Sequence, residues 1–412
     1  MEQIYVVGVG MTPFGKLADV SIKAMTKQAV DAALSDAGIS ADALQAAYFG
    51  NASQGHMEGQ QMIRGQVALR SMGIGGIPVV NVENACASGS SALNLAVNFV
   101  RAGEGDVALA VGAEKMFSRD RDLMFSVFDS AWDVSQADTI RDRLLLLGEG
   151  VEVPPGTVSS KPYSVFMDVY AAFARHHMKR FGTTQRQLAA VAAKNHRHSQ
   201  HNPLSQYRDP YTIDEVLAAP PITYPLTLPM CSPISDGAAA VVVCSESGLR
   251  RLGVDRARAI RVLACVLQTG SDRDPADLEH HCTALAARRA YEKAGLGPAD
   301  VSVAEVHDAT AMGEIIQVEN LGFCAFGEGG ELAERGDTAI GGRIPVNPSG
   351  GLESKGHPVG ATGLGQVYEL VAQLRGEAGA RQVEGARIAL AENGGGLQGI
   401  EEAVACVTIL GR

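Results

Sequence analysis

The sequence predicts an α/β fold with largely parallel strands, and three observations carry that prediction. First, short β-branched runs alternate with stretches of helical apolar spacing. Second, two Gly-rich turns, CASGSS at 86–91 and HPVGAT at 357–362, each lead into such a helical stretch. Third, the second half of the chain repeats the first. Residues 36–52 align without gaps on 293–309, and 86–93 align on 357–364, matching Gly89 with Gly360 and Leu93 with Leu364. VALAVGAE (107–114) has its counterpart in RIALAENGGG (387–396). A repeat of this length is a duplicated fold-sized unit. It sets His357 at the position that Cys86 holds in the first copy, both at the N-termini of paired central helices near a pseudo-twofold axis.

In chain order, IYVVGV (4–9) reads as a buried strand, and a helix runs from about Ser21 to Asp36 and stops at Gly38. A strand at 46–50 precedes a polar, Gly-rich loop that enters a helix near Met72. A strand at 78–82 ends at Cys86, a helix follows with Leu93, Ala96, Val97 and Val100 on one face, and 106–111 is the next strand. From about Phe117 to Pro220 the character changes to charged, Pro-rich and His-rich sequence, with clear helices only at 165–181 and 184–193, the second opened by a Thr184 cap. This reads as an insertion over the core. The αβ pattern resumes at Ile222 and completes the first half. The expected units are therefore 1–116 with 221–257, an inserted loop domain at 117–220, and 258–412.

Composition narrows the function. The chain has 412 residues, 46% hydrophobic and 20% charged, and is ordinary for a globular protein. A net charge of −11 argues against nucleic acid or an anionic membrane as partner. No apolar run reaches the roughly 18 residues that span a bilayer. The N-terminus reads as mature, and the terminal ILGR is not a peroxisomal address. Seven scattered cysteines show no metal-ligand spacing, which points to a reduced cytoplasm and no structural metal.

Cys86 sits where a strand gives way to a Ser/Gly turn and a buried helix. Unpaired N–H groups and the helix dipole there favour a thiolate, so Cys86 is a candidate nucleophile. On this stretch alone a small buried core cysteine is the competing reading. The repeat that brings His357 opposite it supports the nucleophile.

NACASGSSA, EVHDAT, GGRIPVNPSGGLESKGHPVGATG and ENGGG occur in this order, with LPMCSPISDGAAA and KNHRHSQHNP between. By these motifs the chain resembles the thiolase superfamily, and within it the sterol-carrier-protein type, over nearly its whole length. The resemblance implies a thiolase fold: duplicated βαβαβαββ halves in a five-layer αβαβα arrangement, with the inserted loop domain helping to hold coenzyme A. It implies an acyl-CoA-dependent acyltransferase that takes a coenzyme A thioester as substrate and uses no metal or redox cofactor. Cys86 would be acylated and His357 would take the thiol proton. One oxyanion hole would use the backbones of Cys86 and Gly395, the other His357 and His307. Ser232 matches a serine near the pantetheine. A homodimer or dimer of dimers follows, and a small zinc-ribbon/OB-fold partner subunit is consistent with the subgroup.

The departures are informative. ENGGG stands in the place of Cys-x-Gly-Gly-Gly, and the second, acid–base cysteine is matched to Asn393, which takes no proton at neutral pH. The cysteine that stands in for it in much of the subgroup is here Ala309. Cys324 is near in sequence but belongs to no catalytic motif. Three functions remain open: transfer of the Cys86 acyl group to an activated carbon or thiol, a 3-oxoacyl-CoA thiolase using another base such as His307, His56 or water, or an aldolase-type or non-catalytic subunit. Arg175, Lys179 and Arg180 share one helix and are candidates for coenzyme A phosphate, with a solvated basic face as the alternative. His196 and His198 have the wrong spacing for metal ligation on one helix face.

Overall fold

The computed structural model describes residues 2–412. The first half contains β1 (Ile4–Met11), α1 (Ile22–Ala37), β2 (Ala46–Gly50), β3 (Val79–Val82), α2 (Ser88–Arg101) and β4 (Val107–Glu114). Helices α3 (Val165–Phe181) and α4 (Gln185–Ser199) belong to the insertion, after which β5 (Gly237–Ser245) returns to the core. The second half holds β6 (Ile260–Thr269), α5 (Cys282–Ala294), β7 (Val303–Glu305), α6 (Ala311–Asn320), α7 (Thr362–Arg375), β8 (Ile388–Gly395) and β9 (Val404–Gly411).

The nine strands run in the order β3-β2-β4-β5-β1-β6-β9-β8-β7. Read outward from β1 and from β6, the two halves have the same order. The registers agree as well: Ala46 lies beside Ala108 in a parallel pair, and Val303 lies beside Ala389 in its duplicate. A parallel bridge of Ala304 to Val346 stands where β3 stands in the first half. The halves meet at two antiparallel pairs, Tyr5–Arg261 and Val6–Ile260.

Five layers result. On the outside of the first half, α1 residues such as Met25, Ala29 and Ala33 pack on Val7, Leu109 and Val242. Between the halves, α2 (Leu93, Ala96, Val97) and α7 (Leu364, Val367, Leu370) share one core with strands of both. On the far side, α5 (Ala286, Ala287, Ala290) covers Ala264, Val266 and Val407. β1 and β4 are buried along their full lengths because both sheet faces are covered, which is why they read as unbroken apolar runs.

Local chemistry sets the helix ends. Ser21 caps α1 by accepting from the Ala24 N–H at 3.2 Å, and Gly38 closes it at φ 67°. Thr184 and Gln187 form a capping box on α4. That helix runs six residues past the expected end at 193. The polar KNHRHS segment reads as loop in sequence, but here all of it except Arg197 is buried, with side chains paired to distant parts of the chain. Asn195 donates to Asp308, Glu314 and Glu353, while His198 pairs with Asn347 O at 2.9 Å.

The helices α2 and α7 meet at glycine. A Cβ on Gly112 would stand 2.0 Å from Gly360 O, and one on Gly89 would stand 2.6 Å from the same oxygen. Glu114, wholly buried, ties the junction. It accepts from Gly360 N–H at 3.0 Å, Ala52 N–H at 2.9 Å and Ser53 Oγ at 2.6 Å. Gly112→Ala should therefore destabilise the protein by about 1–3 kcal/mol through overpacking. Gly75→Ala, in open space, should stay within about 1 kcal/mol of wild type. Chemical denaturation measures both, and equal midpoints would refute the tight contact.

Candidate active site

Cys86 precedes α2 in a turn held by its neighbours. Asn84 N–H donates to Ser88 Oγ at 2.9 Å, and Ser88 Oγ donates to Ala85 O at 2.7 Å. Ala85 adopts φ 47°, a left-handed conformation that costs a non-glycine residue about 1 kcal/mol or more and here turns the cysteine outward. The backbone N–H groups of Cys86 and Gly396 each favour the ionised sulfur. The sequence places that second donor on Gly395. In the structure Gly395 instead lies against the turn, where a Cβ would strike Asn84 O at 2.3 Å, and the N–H at the sulfur comes from the next residue.

His357 starts the duplicate helix. Its Nδ1 is 2.7 Å from Thr362 Oγ1, which donates its own hydrogen to Pro358 O at 3.0 Å. Thr362 must then accept from Nδ1–H, which leaves a lone pair on Nε2. His307 stands beside it, ring centroids 5.2 Å apart. Its backbone N–H donates to Glu392 Oε2 at 2.9 Å, while both ring nitrogens are buried without a partner. Asp308 does not satisfy the ring, because its carboxylate accepts from Leu352 N–H at 2.7 Å and Asn195 at 3.0 Å. The Cys86 sulfur and a ring nitrogen of each histidine lie within 4.8 Å of one another.

Electrostatics departs from the thiolate expectation. Burial, then the carboxylate of Glu114, push the Cys86 thiol up to about 12, outweighing the two N–H groups. Burial holds His307 down at about 4, and burial with His307 alongside holds His357 well below the ordinary histidine value. A protonated thiol therefore faces two neutral imidazoles.

These groups open into a cavity of about 720 Å³. Core loops supply Ser232, Ala309, Gly396 and Glu402, and residues of the insertion supply aromatic walls such as Phe125, Phe166 and Tyr170. Lys16, Arg119 and Arg121 are exposed and also line it. Arg175, Lys179 and Arg180 do not: each donates to a backbone carbonyl elsewhere. Cys324 and His56 lie outside the lining.

Asn393 is placed differently from its sequence match. Its Oδ1 accepts from Ser90 Oγ at 2.8 Å in the central helix layer. Successive residues of β8 alternate, so Glu392 and Gly394 look the other way, toward His307. Glu392 and Glu402 are the ionisable groups that sequence reasoning passed over. The available signal was a glutamate inside the apolar run RIALAENGG and an acidic pair in GIEEAV, next to a strand.

Two family models cover the chain: the thiolase N-terminal domain at residues 4–215 and a thiolase C-terminal domain-like model at 267–412. The chain belongs to the thiolase family. It is 39% identical over 402 residues to an acetyl-CoA acetyltransferase of Methanothermobacter thermautotrophicus, covering 97% of this chain and 98% of that one. It is 38% identical over 403 residues to sterol carrier protein 2 of Bos taurus, covering 95% of this chain and 70% of that protein. A benzoylsuccinyl-CoA thiolase subunit BbsB of Thauera aromatica is 34% identical over 387 residues, covering 93% and 92% of the two chains. Among solved structures, an Ltp2–ChsH2(DUF35) aldolase superposes with a TM-score of 0.75 at 22% identity, covering 99% of this chain and 97% of that one. Human mitochondrial 3-ketoacyl-CoA thiolase with CoA gives a TM-score of 0.70 at 17% identity, covering 100% and 98%. This thiolase is of the sterol-carrier-protein type, and it is an acyltransferase enzyme.

The raised thiol carries a pH prediction. With the thiolate a small minority at neutral pH, the rate of iodoacetamide alkylation of Cys86 should climb about tenfold per pH unit from about pH 7 to 10. Peptide mass spectrometry follows it. A plateau beginning near pH 8 would mean that the helix terminus wins over burial.

Proposed function

We propose that the protein transfers acyl groups from a coenzyme A thioester through an acyl-Cys86 intermediate. The observation that carries this reading is the group of Cys86, His307 and His357 within 4.8 Å at the end of a large, mostly apolar cavity. As the sulfur attacks the thioester carbonyl, its proton passes to His357 Nε2, the lone pair left free by Thr362. Charge developing on the carbonyl oxygen is met by N–H groups of Cys86 and Gly396, and the unpartnered His307 ring serves as a further donor. The C–S bond to coenzyme A breaks, and the departing thiolate takes the proton from His357.

The rest of the assignment follows the cavity. The exposed cations Lys16, Arg119 and Arg121 meet the phosphates of coenzyme A at the mouth. Ser232, whose N–H donates to Ala309 O at 3.0 Å, lies along the pantetheine path. At about 720 Å³ with aromatic walls, the cavity favours acyl groups larger than acetyl. A homodimer is supported by the edge strand β3 with Val80 exposed on it, and by the exposed Met62 and Ile63 of the loop at 60–63. The aldolase neighbour named with a DUF35 chain, and the relative named as a subunit, support a small partner protein. Among the described residues no helix is long and apolar enough to cross a membrane. All seven cysteines are free, which fits a reducing cytoplasm.

Mass spectrometry after incubation with acyl-CoA tests the reading. Cys86→Ala should take up no acyl group and keep its fold. His357→Ala should acylate about 10²–10⁴-fold more slowly, the usual loss of a positioned base. Uptake of label by the Cys86→Ala variant would overturn the assignment.

A further inference from the structure

Acylation accounts for Cys86 and His357, but carbon–carbon chemistry also needs a group that moves a proton at the substrate's α-carbon. Neither Ala309 nor Asn393 can do so: one has no ionisable atom, and the other points into the helix layer. Another side chain occupies the space. A Cβ on Gly394 would stand 3.1 Å from His307 Nδ1 and 3.2 Å from the carboxyl carbon of Glu402. The glycine leaves room for this carboxyl group beside the catalytic imidazole, and Glu402 lines the same cavity as Cys86, His307 and His357.

We propose that Glu402 is the acid–base at the α-carbon of the substrate. This rests on acyl transfer through Cys86 and deepens it. In the condensing direction the Glu402 carboxylate removes a proton from the α-carbon of a second acyl-CoA. The carbanion attacks the acyl-Cys86 carbonyl, a C–C bond forms, the C–S bond to Cys86 breaks, and the proton that Glu402 removed passes through His357 to the sulfur. In thiolysis the steps reverse: Cys86 attacks the 3-oxo carbon, the C–C bond breaks, and protonated Glu402 delivers its proton to the carbanion.

The side chain is held for this work. Gln317 Nε2–H donates to its Oε1 at 2.7 Å. His281 Nδ1 accepts from Thr283 N–H, so its Nε2 carries the hydrogen and faces Glu402 Oε2 at 3.3 Å. Gln317 fixes the carboxylate from behind, with the His281 ring and the Cys282 thiol, 3.9 Å from Oε2, alongside. The charged and titratable groups around it are Glu401 and Arg273, which pair with each other at 2.7 Å, together with Cys282, Glu392, His281, His307 and Tyr170. Burial raises the Glu402 pKa above the ordinary carboxylate value, with Glu401 adding and Arg273 opposing. A stronger base results, while ionisation is still reached as pH rises. Glu353 also lines the cavity, but Asp308 and Glu314 push it well above its ordinary value, behind burial as the main cause, and Asn195 is its partner.

The test separates acylation from proton transfer. Wild type, Glu402→Gln and Glu402→Asp are incubated with acetyl-CoA in D₂O. Acylation of Cys86 is read by protein mass spectrometry and deuterium in the acetyl methyl by NMR. All three should still acylate Cys86. Exchange should fall about 10²–10⁴-fold in Glu402→Gln and remain in part in Glu402→Asp. Wild-type exchange should climb with pH through the raised carboxylate pKa and then level, a rise that the Gln variant lacks and the Asp variant shifts. Wild-type exchange in Glu402→Gln, or a wild type that acylates without exchanging, overturns the role of Glu402. Should the Gln variant not fold, an unaltered pH profile in Glu402→Asp overturns it equally. Failure of wild type to acylate at all would instead bring down the acyl-transfer reading beneath it.

Discussion

The contact on which the rest depends is between two helix starts packed so closely that only glycine fits. Gly89 and Gly112 of the first half press on the carbonyl of Gly360 in the second. Glu114 accepts the Gly360 N–H and four groups of the first half from the same buried position. A carboxylate at a helix N-terminus is favourable, and here it also spans the pseudo-twofold axis. Because α2 and α7 are fixed this tightly, Cys86 and His357, three residues before each glycine, are brought within reach of each other. The same carboxylate raises the thiol it positions. Scaffold and electrostatics are thus coupled through one side chain: the junction that positions Cys86 also helps to keep its thiol protonated.

That coupling explains why the two histidines differ in setting. His357 has one nitrogen committed to Thr362, which fixes its tautomer. His307 has neither nitrogen committed, and its backbone is pinned by Glu392. A proton acceptor benefits from a defined lone pair, while a donor to a developing charge benefits from a ring free to meet it. Buried polar groups without partners are costly, so a ring with both nitrogens unpartnered at the cavity leaves a contact for substrate to supply.

Much of the fold was legible because duplication and period carry through the chain. The repeat pairs Ala46 with Val303 in the same register as the strands. Cys86, His357 and His307 were legible because each lies in a motif with a mechanical reason for its residue types. Three features were not. The strength of burial over the helix dipole at Cys86 depends on Glu114, distant in sequence by 28 positions. The choice between Gly395 and Gly396, and the direction of Asn393, turn on which face of β8 each residue occupies, and a one-residue ambiguity in a run of three glycines reverses every face. The C-terminal part of α4 was hidden because its polar residues are satisfied by Asp308, Glu314 and Asn347, more than a hundred positions downstream.

The cavity is assembled from two kinds of chain. Cys86, His307, His357, Gly396 and Glu402 come from loops at the ends of core elements, whereas its aromatic walls, from Phe117 to Tyr211, all come from the insertion. Chemistry and shape are therefore written in separate stretches of the gene. Drift, insertion or recombination confined to the second stretch can refit the cavity to a new acyl chain while the reacting atoms keep their places.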